Sequence, residues 1–128
     1  MNAIKFIQQH GVDKAREIVD GAPETATHFT EALGGHYAKE GMLKMKPQWL
    51  WFNSINKEWC YDFAAEDHIH LPDLKRLVES VDLVTAWGGL ESTYSKFRYA
   101  QEHKNIYPAN MIQQAIADYE SIYGGEHV

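Results

Sequence analysis

The stretch Gln48-Trp-Leu-Trp-Phe-Asn-Ser-Ile-Asn-Lys-Glu-Trp-Cys-Tyr-Asp-Phe63 decides the fold. It holds three of the four tryptophans, and side-chain character alternates with a period of two at both of its ends. Its middle, residues 53–57, is polar and loop-like, so the stretch predicts a β-hairpin with a short loop. Trp49 and Trp51 share one face of the first strand, opposite to Leu50. A two-stranded ribbon cannot bury both of its faces, so one aromatic face is a candidate surface for a partner.

Two shorter β-forming segments precede the hairpin. Residues 26–29 and 35–39 are predicted as strands, and residues 40–47 as a connection to the hairpin. With the hairpin they predict a small antiparallel sheet of three or four strands over residues 26–63, since a lone ribbon is marginal in water. A helix over residues 24–33 is the alternative, because Glu, Ala and Leu favour one and a proline stands near its start.

Helical periodicity dominates both ends of the chain. Residues 1–21 predict a pair of short helices around Gly11. Between residues 72 and 123, apolar side chains at helical spacing predict three more helices, over residues 72–86, 90–103 and 108–123. The predicted fold class is therefore α+β: the sheet packs with these three mainly C-terminal helices, which form the larger core, and with the N-terminal pair. At 128 residues, the whole chain (1–128) is expected to form one domain.

The composition limits the function classes. The net charge is −6 and only three arginines occur, which disfavours binding to a phosphate backbone. No apolar run approaches the ~20 residues that span a bilayer, and the N-terminus lacks the features of a signal peptide. Cys60 is the single cysteine, so an internal disulfide is excluded and a reducing cytoplasm is expected.

The segment Asp67-His-Ile-His70 is the best candidate for a metal site. His68 and His70 point to one side of an extended segment, and zinc takes three or four N, O or S ligands. Further ligands would have to come from Asp73, Cys60, His28 or His36. The sequence has no second paired motif such as CxxC, so the favoured interpretation is a polar connector before a helix, with no metal and no cofactor.

Catalytic motifs give no support for an enzyme. The sequence contains neither a GxxxxGK[ST] loop nor a GxGxxG turn. Cys60 stands between Trp59 and Tyr61, and a lone strand cysteine is more often a small core residue than a nucleophile. We assign no catalytic residue, and the sequence favours a non-enzymatic protein without deciding the matter.

The hairpin aromatics are the candidate partner-binding residues. Trp49, Trp51, Trp59 and Tyr61 would make the contacts, with Glu58 and Asp62 as polar neighbours. Such side chains build small cores, anchor protein interfaces and stack on single-stranded bases. The structural interpretation is that these side chains pack in the core. The favoured functional interpretation is that they contact a protein partner.

Three segments resemble small accessory proteins from the early regions of tailed phages and prophages: Gly21-Ala-Pro-Glu-Thr-Ala-Thr-His-Phe29, the Trp49-Leu-Trp-Phe52 and Glu58-Trp59 pieces, and Ile112-Gln-Gln-Ala-Ile-Ala-Asp-Tyr-Glu-Ser-Ile-Tyr-Gly-Gly125. The resemblance implies an acidic, non-enzymatic protein of the host cytoplasm that binds and modulates or inhibits a host protein, such as a defence or DNA-metabolism factor. The alternatives are a nucleic-acid-binding accessory protein and a zinc domain or hydrolase built on His68 and His70. A homodimer joined through the hairpin is a further expectation.

Overall fold

The computed structural model of the protein describes residues 2–31, 34–61, 68–103 and 109–124. These residues form a sheet and helices that alternate little along the chain, as an α+β fold requires. The helices and strands are α1 (Ala3–His10), α2 (Val12–Asp20), β1 (His28–Thr30), β2 (His36–Leu43), β3 (Lys46–Asn53), β4 (Glu58–Cys60), β5 (Ile69–His70), α3 (Leu71–Ala86), α4 (Leu90–Glu102) and α5 (Ala109–Tyr123). The predicted fold class is confirmed.

The sheet is antiparallel and its strand order is β4-β3-β2-β1-β5. The predicted tryptophan hairpin is confirmed as β3 and β4, with Trp51 opposite Cys60. Its loop is closed by Asn53 and Asn56, whose side-chain oxygens accept hydrogen bonds from nearby backbone N–H groups. Residues 28–30 form a strand, so the alternative of a helix over residues 24–33 is wrong.

The prediction that residues 40–47 form a connection is wrong. The two central strands pair to their ends, where Leu43 faces Lys46 across a two-residue turn. Lys44 and Met45 make that turn with left-handed φ angles of 53° and 65°. Two-residue hairpin turns of this kind usually have the sequence Asn-Gly, and Lys-Met does not predict one.

The prediction of three or four strands is also wrong, because β5 is a fifth. Ile69 and His70 pair with Phe29 and His28, and they fall in the segment that we predicted as a connector. A strand of two residues is too short for a period of two to be recognised. Residues 62–67 lie outside the described part of the chain.

Replacing Met45 by glycine is expected to raise the free energy of unfolding by about 1 kcal/mol. A side chain in the left-handed region costs about that much relative to glycine, which adopts φ of 65° freely. Urea unfolding followed by circular dichroism measures the change. Met45→Ala is the matched control, since it removes the long side chain and keeps the Cβ atom. A gain in both variants would show that the backbone is not the cause.

All the predicted helices are confirmed within the described residues. In the N-terminal pair, the Asn2 side chain accepts a hydrogen bond from the Lys5 N–H at the start of α1. Gly11 separates the two helices with φ of 90°, a conformation that suits glycine. α3, α4 and α5 match the predicted segments, and Pro108 lies outside the described residues.

The larger core joins the N-terminal pair to α3 and to one face of the sheet. Its buried side chains come from α1, α2, β5, α3 and the end of α5, and Phe29 and Tyr37 of the sheet pack against them. The smaller core lies between α4 and α5 and contains Ala100, Ile112 and Ile116. The prediction that the three C-terminal helices form the larger core is therefore wrong, because α1 and α2 supply much of it.

No helix among the described residues has the length and apolar character needed to cross a membrane.

Candidate functional site

The two faces of the sheet differ in character. Residues that pair across an antiparallel sheet share a face. The register therefore places Phe29, Tyr37 and Ile69 on the face that packs against the helices, which we call the inner face. The opposite side, the outer face, carries imidazole and indole rings from four strands and from the residue before β5: His28, His36, Trp49, Trp51, His68 and His70.

Trp49 is the centre of the outer face. Its ring stacks on the His68 ring with a centroid distance of 4.0 Å and an interplanar angle of 12°. His28 meets it edge-on at 4.9 Å. Trp51, two residues along the same strand, contacts the His36 ring at 5.2 Å. Each of the two indole rings contacts an imidazole ring. Both tryptophans are half-buried, so part of each side chain also faces solvent.

His28 lies among other titratable groups. Its ring centroid is 5.2 Å from that of His70 and 6.1 Å from that of His68, and its Nδ1 atom lies 2.8 Å from the Thr27 hydroxyl. Burial is the main cause that lowers the pKa of His28, and the charges of His70 and His68 lower it further. Two carboxylates oppose this effect, those of Glu40 and Asp73.

Acidification is expected to destabilise the chain through His28. Its pKa lies below the ordinary value of about 6.5 in the folded chain, so folding favours the neutral imidazole. The resulting stability is complete above the unfolded pKa and is lost as the pH falls through that value towards the folded pKa. The free energy of unfolding, measured with urea, should therefore be lower at about pH 5 than at about pH 7.5.

The His28→Gln variant should reduce this difference between the two pH values. His103→Gln is the control, because His103 stacks on Tyr99 in α4, away from the sheet. An unchanged pH dependence in His28→Gln would contradict the assignment.

The structure separates the predicted contact residues. Trp59 lies on the inner face, where its ring meets Phe52 edge-on at 5.2 Å and the Lys39 ammonium lies 4.4 Å from its centroid. Glu58 precedes Trp59 and is exposed on the outer face, where it pairs with Asn53. Tyr61 follows the strand and is 41% exposed. Of the four aromatic candidates, only the first two tryptophans are brought together with the histidines. Asp62 lies outside the described residues.

The residues predicted for a metal site are engaged in other contacts. His70 Nδ1 lies 3.1 Å from an Asp73 carboxylate oxygen, and the His68 ring stacks on Trp49. Within the described ranges, no group of three or more His, Cys, Asp or Glu residues is arranged to hold a metal ion. Asp67 lies outside these ranges. The His68 ring is thus stacked on an indole, and the His70 ring lies against a carboxylate.

Sequence reasoning missed the role of His28 and His36 beside the tryptophans. It named them only as distant ligands for a metal. The strand register brings His36 to Trp51, and the pairing of β1 with β5 brings His28 to His70. The signal in the sequence was the presence of histidines in the predicted strands. Which rings they contact can be inferred only once the strand register is known.

Comparison with known proteins adds no relative: no family model, no curated protein and no solved structure matches the chain.

Proposed function

We propose that the chain is a non-enzymatic interaction protein that binds a protein of a bacterial host and modulates or inhibits it by steric occlusion. The contact surface is the outer face of the sheet. One observation carries the proposal: Trp49 and Trp51 stand together, half-buried, on the face turned away from the helical core. The likeness to phage accessory proteins supplies the class of partner.

The chemistry of the outer face favours a protein over a nucleic acid. Tryptophan is enriched among the side chains that dominate protein interfaces, and rings already held by neighbours lose little freedom on binding. Phosphate backbones require lysine and arginine. The described strand positions of the outer face hold neither, and Glu40 lies opposite Trp49.

A pull-down of the tagged chain from bacterial lysate, with and without nuclease, tests the proposal. One host protein should be enriched in both conditions. Enrichment that disappears with nuclease and falls steeply with added salt would instead indicate nucleic acid.

The Trp49→Ala, Trp51→Ala double variant is expected to weaken the recovered complex by at least about 30-fold, which corresponds to a hot-spot loss of about 2 kcal/mol. Trp59→Ala is the matched control, because it truncates another half-buried tryptophan, which lies on the inner face. Calorimetric titration gives both affinities, and thermal melting shows that each variant is folded. Equal affinity of the double variant and the wild-type chain would contradict the proposal.

A further inference from the structure

The turn between β2 and β3 ends in exposed apolar and basic side chains. Met45 is 91% exposed and Met42 is 63% exposed. Lys44 and Lys46 are exposed beside them. We call residues 42–47 the hairpin tip. Methionine is flexible and polarizable, and it adapts to apolar pockets on other proteins.

The hairpin tip is basic although the chain is acidic. Residues 42–47 hold two lysines and no carboxylate, against a net charge of −6 for the whole chain. The ion pairs found within the described residues engage neither Lys44 nor Lys46. Two positive charges are therefore presented together with two methionine side chains.

The backbone of the hairpin tip is a second observation. Lys44 and Met45 both adopt left-handed φ angles, which two-residue hairpin turns normally assign to Asn and Gly. The side chains here weaken the turn in which they stand. Positions that break a local rule of stability are often functional. The exposure of Met45 and the strain in its backbone thus both indicate that this side chain contacts a partner.

We propose that the hairpin tip docks into an acidic protein partner. Met45 enters an apolar pocket, and Lys44 and Lys46 meet carboxylates at the rim of that pocket. The charge of the hairpin tip selects the acidic partner, and Met42 continues the outer face on which Trp49 lies. The inference rests on the proposed function for the partner being a protein, and it adds the partner's chemistry.

A photo-crosslinker at position 45 tests the inference in the full chain. Met45→benzoylphenylalanine is expressed in bacterial cells and irradiated, and the adducts are mapped by mass spectrometry. Ile55→benzoylphenylalanine is the control, because Ile55 is 93% exposed at the other end of β3. We expect one protein adduct specific to position 45, on an apolar site bordered by Asp and Glu residues.

Charge reversal and turn repair complete the test. Lys44→Glu with Lys46→Glu should abolish the adduct and weaken the complex at least about tenfold, because like charges then face each other. Met45→Gly should also weaken the complex at least about tenfold, although it stabilises the turn, so that a loss of folding cannot explain the result. Survival of the adduct after charge reversal would overturn the inference. An equal adduct from position 55, or no adduct specific to position 45, would overturn it as well. So would an adduct on nucleic acid or lipid.

The two proposals can fail separately. If the Trp49→Ala, Trp51→Ala variant loses the partner but position 45 gives no specific adduct, only the proposal for the hairpin tip is rejected. If Lys44→Glu with Lys46→Glu loses the partner but the tryptophan variant still binds it, only the proposal for the outer face is rejected.

Discussion

Replacing Phe6 by alanine is expected to lower the free energy of unfolding by about 4 kcal/mol, the usual cost of truncating a buried phenylalanine. Phe6 is 2% exposed on α1, and its ring meets the ring of Phe29 in β1 edge-on at 6.3 Å. It therefore links the N-terminal helical pair to the inner face of the sheet. Domains are stable by about 5–15 kcal/mol, so the loss is a large fraction of the total. Urea unfolding followed by circular dichroism gives the value.

The control for this prediction is Gln9→Ala on the exposed side of the same helix. An exposed substitution to a good helix former should change the free energy of unfolding by less than about 0.5 kcal/mol. If Phe6→Ala cost no more than Gln9→Ala, α1 would not be packed against the sheet.

Local periodicity was sufficient for most secondary structure. The apolar stripe of α5 repeats at helical spacing, and its buried residues Ile112, Ala115, Ile116 and Ile122 lie on that stripe. The alternation around Trp49 and Trp51 identified β3 for a similar reason, since a strand has a period of two. Both patterns are written within a single segment and need no knowledge of the rest of the chain.

The errors in the number of strands and in the make-up of the larger core concern features that depend on distant segments. β5 exists because Ile69 and His70 pair with β1, about forty residues earlier in the chain. The prediction of which helices form the larger core was wrong because Phe6, Ile7 and Ile18 belong to short helices. Their burial depends on the sheet and on α3. A short amphipathic helix has the same pattern whether it covers the main core or only its margin.

The candidate site was half predictable. The sequence predicted that Trp49 and Trp51 share a face, because the side-chain period of a strand fixes that relation. It did not predict that Trp59 would lie on the opposite face or that histidines would contact the first two tryptophans. Those facts follow from the register of β3 with β4 and from the path of the chain into β5. Pairing between strands, rather than composition, assembles the outer face.

Asp118 on α5 is a buried carboxylate held by three side chains. It is 4% exposed, and it accepts a hydrogen bond of 2.7 Å from the Ser80 hydroxyl. The Gln114 amide donates to it at 3.0 Å, and the Arg76 guanidinium donates from two nitrogen atoms at 3.2 Å and 3.4 Å. Ser80 and Arg76 belong to α3, so this network fixes how α3 and α5 pack. A buried charge is tolerated only when it is paired in this way.

Replacing Asp118 by alanine is expected to lower the free energy of unfolding by about 3 kcal/mol, because it leaves the buried Ser80 hydroxyl without its acceptor and removes the buried carboxylate that pairs with Arg76. The cost stays at the lower end of the range for buried pairs, since Arg76 is about half exposed and water can solvate it. Asp118→Asn keeps the volume and one acceptor oxygen, so it should cost less than Asp118→Ala. Gln113→Ala, on the exposed side of α5, is the control and should be nearly neutral. Equal losses in the alanine and asparagine variants would assign the stability to the charge, and no loss in either would mean that the network does not hold α3 against α5.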